Sequence, residues 1–293
     1  MKHLGYHLLA VITVVIWGTT FVSTKVLLQH GMLPMEIYLL RFIVAYLCIW
    51  TISPRKIWSN SWKDEMLFLV LGIVGGSAYF VTENTALGLT YANNVSFLVC
   101  TAPLITTILA VIFVGHVKVS APLIIGSFLA IFGMALVIYN GRFVLKLNPR
   151  GDLMALAACL CWAVYSLVIK GVSSRYSASF VTRKVFFYGI VTVLPMFAIQ
   201  PWKFPLERLT NPVIGINMLY LTVLASFLCF LWWSISVQKL GALRTSNYVY
   251  LNPVSTVAAS ALFLDEPMTA IGYLGSILIL SGVFLANMKP MDT

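Results

Sequence analysis

The sequence predicts an all-α integral membrane protein, with ten transmembrane helices arranged as two inverted five-helix repeats. Three observations carry that prediction. Of the 293 residues, 60% are hydrophobic and 10% are charged, and the mean hydropathy is +0.93, whereas a soluble domain carries about 25% charged residues. The apolar residues gather into ten stretches, each near the ~20 residues that a bilayer core requires. A set of landmarks in the first half also returns in the second.

In chain order the predicted spans are 7–28, 34–53, 66–88, 92–115 and 121–140, then 152–171, 178–200, 212–237, 242–264 and 269–288. The first is too long for the core of a signal peptide and no small-residue cleavage site follows it, so it is expected as a retained helix. Turn chemistry marks the breaks: Gly31 and Pro34, Ser53-Pro54, Pro149 to Gly151, Pro201 with Pro205, Asn211-Pro212, and Glu266-Pro267. Nothing between the spans is long enough to form a soluble domain.

The repeat is read from spacing. Trp17 precedes Lys25 by eight residues, as Trp162 precedes Lys170. Ala92 and Pro103 stand eleven apart, as do Ala242 and Pro253, and Gly126-Ser127 with Gly133 is matched by Gly275-Ser276 with Gly282. The offsets are 145, 150 and 149 residues, so a unit of about 140 residues is duplicated. The expected units are 1–146 and 147–293. Five spans per unit bring the second into the membrane from the opposite side, which inverts the repeats about an axis in the membrane plane.

With both termini in the cytoplasm, the inner loops and tails hold Lys2, Arg55, Lys56, Lys63, Lys118, Arg175, Lys239, Arg244 and Lys289. The outer loops hold Arg142, Lys146, Arg150, Lys203 and Arg208. Nine against five favours this orientation in a cytoplasmic (inner) membrane, although the 142–150 loop runs against it. The net charge of +10 is spread between apolar runs rather than gathered in one patch, which argues against nucleic acid. The five cysteines fall inside apolar stretches without metal-ligand spacing and read as small core residues. No phosphate-binding loop, dinucleotide fingerprint, nucleophile elbow or metalloprotease motif occurs. The expectation is a chain that is not an enzyme, takes no cofactor or metal, and acts as a monomer on a small molecule.

Glu83 is a carboxylate at span depth, where a charge costs about 2.5 kcal/mol or more unless it faces a cavity or a partner. It reads as a proton-coupling site or a counter-charge for a substrate ammonium, or else as a structural partner of Lys25 or Arg41. It shares a stripe with Gly72, Gly76 and Tyr79, and Asn84 follows it. Other stripes place Thr13, Trp17, Thr20 and Thr24 on the first span, and Asn94, Phe97 and Thr101 on the fourth. Trp162, Tyr165 and Ser166 share the sixth, and Tyr248 and Asn252 the ninth. Singly, such residues glue helices together. As a set they predict a cavity with aromatic faces and polar tips, suited to an amphipathic substrate. Lys25 and Arg41, with Lys170, Arg183 and Lys184 placed in mirror fashion, are expected to snorkel to the headgroups or to gate the cavity. Pro103 and Pro253, at equivalent positions, read as hinges or as static kinks.

Trp17-Gly18-Thr19-Thr20-Phe21, Pro34 with Arg41, Ala86-Leu87 through Thr90 and Ala92 to Pro103, and the terminal glycine spacings resemble the drug/metabolite transporter superfamily, EamA type. The resemblance covers essentially the whole chain. It implies two inverted five-helix repeats around a central cavity and export of amino acids or related metabolites. One departure is Gly115-His116-Val117, where that pattern carries an acid after the fourth helix; the second half keeps Asp265-Glu266-Pro267. The function expected is secondary transport by alternating access, with protons as a candidate coupling ion. The alternative is a membrane-embedded enzyme or lipid flippase that uses Glu83 as an acid or base.

Overall fold

Ten helical segments succeed one another in the computed structural model, which describes residues 4–53, 57–90, 92–114, 120–139, 148–263 and 269–287; no strand occurs among them. The first five are α1 (Leu4–Gln29), α2 (Pro34–Ile52), α3 (Trp62–Leu89), α4 (Ala92–Cys100 and Ala102–Val114) and α5 (Ala121–Tyr139). The next are α6 (Pro149–Ser173), α7 (Ala178–Ile199) and α8 (Pro212–Leu240). The last are α9 (Ala242–Ser246, Asn247–Leu251 and Asn252–Phe263) and α10 (Ala270–Ala286). Seven of these, α1 to α4 and α6 to α8, are long and apolar enough to cross a bilayer. Two shorter apolar stretches are Ala121–Val137 in α5 and Ala270–Ala286, which is α10. The segments after α4 and α9 that the sequence singled out, Gly115 to Val117 and the acidic Asp265 to Pro267, lie outside the described residues.

The expected breaks are chemically built. Pro34, Pro149 and Pro212 open their helices at the position where a missing N–H costs nothing. Ser61, Asn148, Ser177, Asn211 and Thr269 accept hydrogen bonds from first-turn amides of α3, α6, α7, α8 and α10. Gly31, just past α1, has a positive φ of 91°, and Gly241 turns α8 into α9 with a φ of 86°. α3 begins four residues earlier than the apolar pattern predicts, because Ser61 caps a polar first turn containing Lys63, Asp64 and Glu65.

The repeat is visible in local structure as well as in spacing. α4 breaks at Thr101 and resumes at Ala102, so Pro103 is the second residue of the resumed helix. α9 passes through a tighter stretch, Asn247–Leu251, and resumes at Asn252, with Pro253 again second. Both prolines therefore sit at restarts and displace no interior hydrogen bond. α3 and α8 each contain a wide-turn, π-helical stretch, Ile73–Ser77 and Tyr220–Leu228, which coincide at the 150-residue offset.

α5 and α10 pack antiparallel through their glycines. A Cβ on Gly126 would lie 2.5 Å from the Gly282 carbonyl oxygen, and one on Gly282 the same distance from that of Gly126. Gly133 and Gly275 are related in the same reciprocal way at 2.6 Å. In lipid, where burial of apolar surface drives no helix association, such close backbone approach supplies the attraction. At the other flank, the first turn of α3 is tied to the α6–α7 connection and to α7. Asp64 pairs with Arg175 at 2.5 Å and accepts from Tyr176 OH at 2.5 Å. Glu65 pairs with Lys184 at 2.8 Å and accepts from Ser59 N at 2.6 Å and from Tyr188 OH. Lys184 and Arg183, expected to snorkel, are instead enclosed, and the Arg183 guanidinium lies over Trp50 and Phe180 at 4.6 and 5.3 Å.

Two stability predictions follow from this packing. Gly133→Leu should overpack the α5–α10 seam and cost about 1–3 kcal/mol, read as a lowered melting temperature of the purified protein. Glu65→Lys should lower it too by leaving two cations facing each other, and adding Lys184→Glu should restore much of the loss. Equal melting temperatures for the single and double variants would deny the pair a structural role.

Candidate functional site

Residues from both halves of the chain converge on one cavity. α1 supplies Trp17, Thr20 and Phe21; α2 supplies Arg41; α3 supplies Tyr79, Phe80 and Glu83; α4 supplies Val99. From the second half come Trp162 of α6, Phe230 of α8, and Val249 and Asn252 of α9. About 430 Å³ free of atoms, open solvent included, lies among these side chains.

Its wall is aromatic. Trp17 and Trp162, the two repeat landmarks, meet edge to face with centroids 5.2 Å apart. Trp17 also lies 5.6 Å from Phe230, and Trp162 lies 5.1 Å from Tyr79. These rings are fixed from behind. Trp17 Nε1 donates to the Ala225 carbonyl at 2.9 Å, inside the wide-turn stretch of α8. In α3 the matching stretch brings Gly75 against the Tyr165 ring, where any Cβ would overlap it. Tyr165 in turn packs at a tilt, 5.0 Å behind Trp162.

Two opposite charges stand in this wall. Arg41 is 1% exposed; its Nε donates to Ser226 Oγ at 3.1 Å and its guanidinium lies 4.7 Å over the Phe80 ring. Glu83 is 6% exposed and accepts from Tyr79 OH at 2.5 Å. No salt bridge joins them; the ion pairs among the described residues are Asp64–Arg175 and Glu65–Lys184. The guanidinium's two Nη groups and the second carboxylate oxygen make no hydrogen bond to described residues and are not sealed from the cavity. A guanidinium in a low-dielectric wall grips a carboxylate, and a carboxylate there grips an ammonium. Trp162 Nε1 and Asn252 Oδ1 are buried beside them without hydrogen-bond partners.

The sequence-predicted residues divide into two groups. Trp17, Thr20, Tyr79, Glu83, Trp162 and Asn252 come together on the cavity wall. Thr24, Asn84, Tyr165 and Ser166 are buried behind it: Asn84 Nδ2 donates to the Pro34 carbonyl at 3.0 Å, and Ser166 Oγ to the Trp162 carbonyl at 2.8 Å. Phe97 packs into the apolar core, and Thr101 Oγ1 donates to the Leu98 carbonyl at 2.7 Å. Tyr248 shares a hydrogen bond with His7 Nδ1 at 2.6 Å, away from the cavity. The side chain of Asn94 lies outside the described residues. Among the expected gating residues, Lys25 donates from Nζ to the Thr90 carbonyl at 3.0 Å. Pro103 and Pro253 are buried at their helix restarts. Arg41 is on the wall itself, not at the headgroups. Phe21, Phe80, Val99, Phe230 and Val249 complete the wall without having been singled out, since an apolar residue in an apolar span carries no signal of its own.

The model of the EamA-like transporter family matches residues 4–139 and again residues 149–288. The chain belongs to the EamA-like transporter family. It is accordingly a multi-pass membrane transporter. Among its relatives is a "Probable amino-acid metabolite efflux pump" of Escherichia coli K12, 28% identical with 94% of this chain and 93% of that protein covered. Another is a "Probable terminal-alkyne amino-acid exporter" of Streptantibioticus cattleyicolor, 26% identical with 96% and 93% covered. An "Uncharacterized transporter" of Archaeoglobus fulgidus is 25% identical, with 97% of both chains covered. A solved crystal structure shares the fold with a TM-score of 0.72 at 15% identity, covering 97% of this chain and 98% of that one.

For this EamA-like chain, removing the buried charge should separate stability from function. Arg41→Met fills a similar volume and ends the desolvation of an unpaired cation, so its melting temperature should equal or exceed that of the parent. Transport by the same variant should fall at least tenfold. A large loss of stability would instead make Arg41 a structural residue.

Proposed function

We propose that the protein exports amino acids with apolar or aromatic side chains across the cytoplasmic membrane by alternating access. The observation that carries this reading is the placement of Arg41 and Glu83, opposite in charge and not paired with each other, in one aromatic cavity. A zwitterion satisfies both: its carboxylate meets the Arg41 fork and its ammonium meets Glu83, while its side chain lies among Trp17, Trp162 and Phe230. The names of the Escherichia coli and Streptantibioticus relatives point to the same class of cargo.

Alternating access needs two interchangeable packings, which inverted repeats provide. Reciprocal glycine contacts between α5 and α10, and wide turns at the same offset in α3 and α8, support inversion of the units 1–146 and 147–293. The loop charges support cytoplasmic termini. One chain completes the cavity, which supports a monomer as the working unit. Protons couple export if Glu83 holds either a proton or the substrate ammonium but never both. The enzyme or flippase alternative gains nothing from the site: Tyr79 is the one hydrogen-bond partner of Glu83 among the described residues, and no general acid–base pair is assembled there.

Uptake of a labelled amino-acid panel into proteoliposomes tests the reading. Saturable uptake of apolar and aromatic amino acids, absent from empty liposomes, is expected; folded protein that moves none of them would sink it. For coupling, apparent KM should rise as pH falls on the substrate side, because protons compete for the carboxylate. Glu83→Gln should flatten that dependence and abolish stimulation by a pH gradient. A Gln variant that responds to the gradient as the parent does would end the proton hypothesis.

A further inference from the structure

The wide-turn stretch of α8 touches the cavity wall at more than one point. Tyr220, its first residue, donates to the Ile16 carbonyl at 3.0 Å and shares a hydrogen bond with Thr19. The Ala225 carbonyl holds the Trp17 indole at 2.9 Å. Ser226 Oγ, fully buried, donates to the Leu221 carbonyl five residues back at 2.7 Å and accepts from Arg41 Nε at 3.1 Å. The span of five residues matters. In an ordinary α-helix a serine hydroxyl reaches a carbonyl three or four residues earlier, whereas the i−5 partner belongs to the π-helical register. That bond commits the hydroxyl hydrogen and leaves the oxygen's lone pairs for the guanidinium.

The consequence is geometric. A guanidinium offers a carboxylate two forks: the side fork of Nε with one Nη, and the end fork of both Nη groups. Ser226 occupies Nε, and the Phe80 face, 4.7 Å from Cζ, sets the plane. The end fork is what remains for the cavity. We propose that Ser226, set by the wide turn of α8, is the positioning residue of the carboxylate subsite and makes Arg41 grip its substrate end-on. This rests on the amino-acid reading above, and it assigns to α8 the selection of carboxylate-bearing substrates over their decarboxylated amines.

The test uses purified full-length protein, radiolabelled L-phenylalanine as probe and phenethylamine as the carboxylate-free competitor. The parent should bind phenylalanine more tightly than phenethylamine. Ser226→Ala should weaken phenylalanine at least tenfold while moving phenethylamine less than threefold, and Ser226→Thr, which keeps the hydroxyl, should restore phenylalanine to within about threefold of the parent. Ser226→Cys, isosteric with a weaker acceptor, should show the alanine pattern to a smaller degree and stands in if the alanine variant does not fold. A Ser226→Ala protein that loses both ligands equally, or neither, overturns the proposal. Arg41→Met separates the two levels. If it loses phenylalanine selectively while Ser226→Ala does not, the amino-acid reading stands and the positioning role fails. If Arg41→Met binds phenylalanine as the parent does, or the parent binds neither ligand, the amino-acid reading fails and the proposal with it.

Discussion

A guanidinium and a carboxylate that stand in one apolar wall without joining each other set the terms for the rest of this molecule. Hydrocarbon offers neither charge any solvation, so each must be held by the protein. Arg41 is held by Ser226 and the Phe80 face, and Glu83 by Tyr79. Those supports belong to α8 and α3, the two helices that pass through a π-helical stretch. The wide turns, the aromatic packing behind Trp17 and Trp162, and the polar atoms turned toward the cavity are thus parts of one arrangement. Had the two charges met directly, they would have neutralised each other and left the cavity without free charges to tell a charged molecule from an apolar one.

The scaffold around that arrangement is closely packed. Reciprocal glycines bring the α5 and α10 backbones as close as carbonyl contacts allow, and an α-helical ladder satisfies its own polar groups within lipid. Across the cavity, α3 is fastened to α7 by a different chemistry: the buried Glu65–Lys184 pair at its first turn, then Gly72 against Tyr188 and Gly189, and Gly76 against Gly189. One flank is a dry, close-packed seam. The other combines charge with small-residue packing.

Much of this was legible in the sequence. Composition and spacing carried the ten helical segments, the repeat and the glycine pairs, because a bilayer fixes the length of a span and duplication leaves spacing behind. Glu83, Tyr79 and the two tryptophans were legible as polar or amphipathic groups in apolar surroundings. The stripe Gly72, Gly76, Tyr79 and Glu83 was not one face. The wide turn at Ile73–Ser77 shifts the helical phase, so the glycines meet α7 while Tyr79 and Glu83 meet the cavity. No propensity signals a π-helical stretch, and so a stripe drawn at 3.6 residues per turn across one goes astray. Arg41 reads in the sequence as a residue that snorkels to the headgroups or gates the cavity, because charge near a span end ordinarily does so; the pull of Ser226 and Phe80, more than a hundred residues away in one case, is invisible in the chain order. Tyr165, Ser166 and Asn84 share helix faces with true wall residues, and a face wide enough to be seen in sequence spans both the cavity and the packing behind it.

The separation of Arg41 from Glu83 also has an electrical consequence. With both side chains ionised the empty cavity carries no net charge, and a bound zwitterion leaves that sum at zero. The resting potential of a cell, worth about 2.3 kcal/mol per elementary charge per 100 mV across the full membrane, then exerts no force on the cavity either empty or loaded. Only the form with Glu83 protonated is positive. If a proton takes the place of the substrate ammonium on Glu83, as in the proposal above, voltage acts on the returning, cargo-free protein and draws it toward the negative side. The membrane potential would then set how fast the binding site is presented again without altering how tightly the cargo is held.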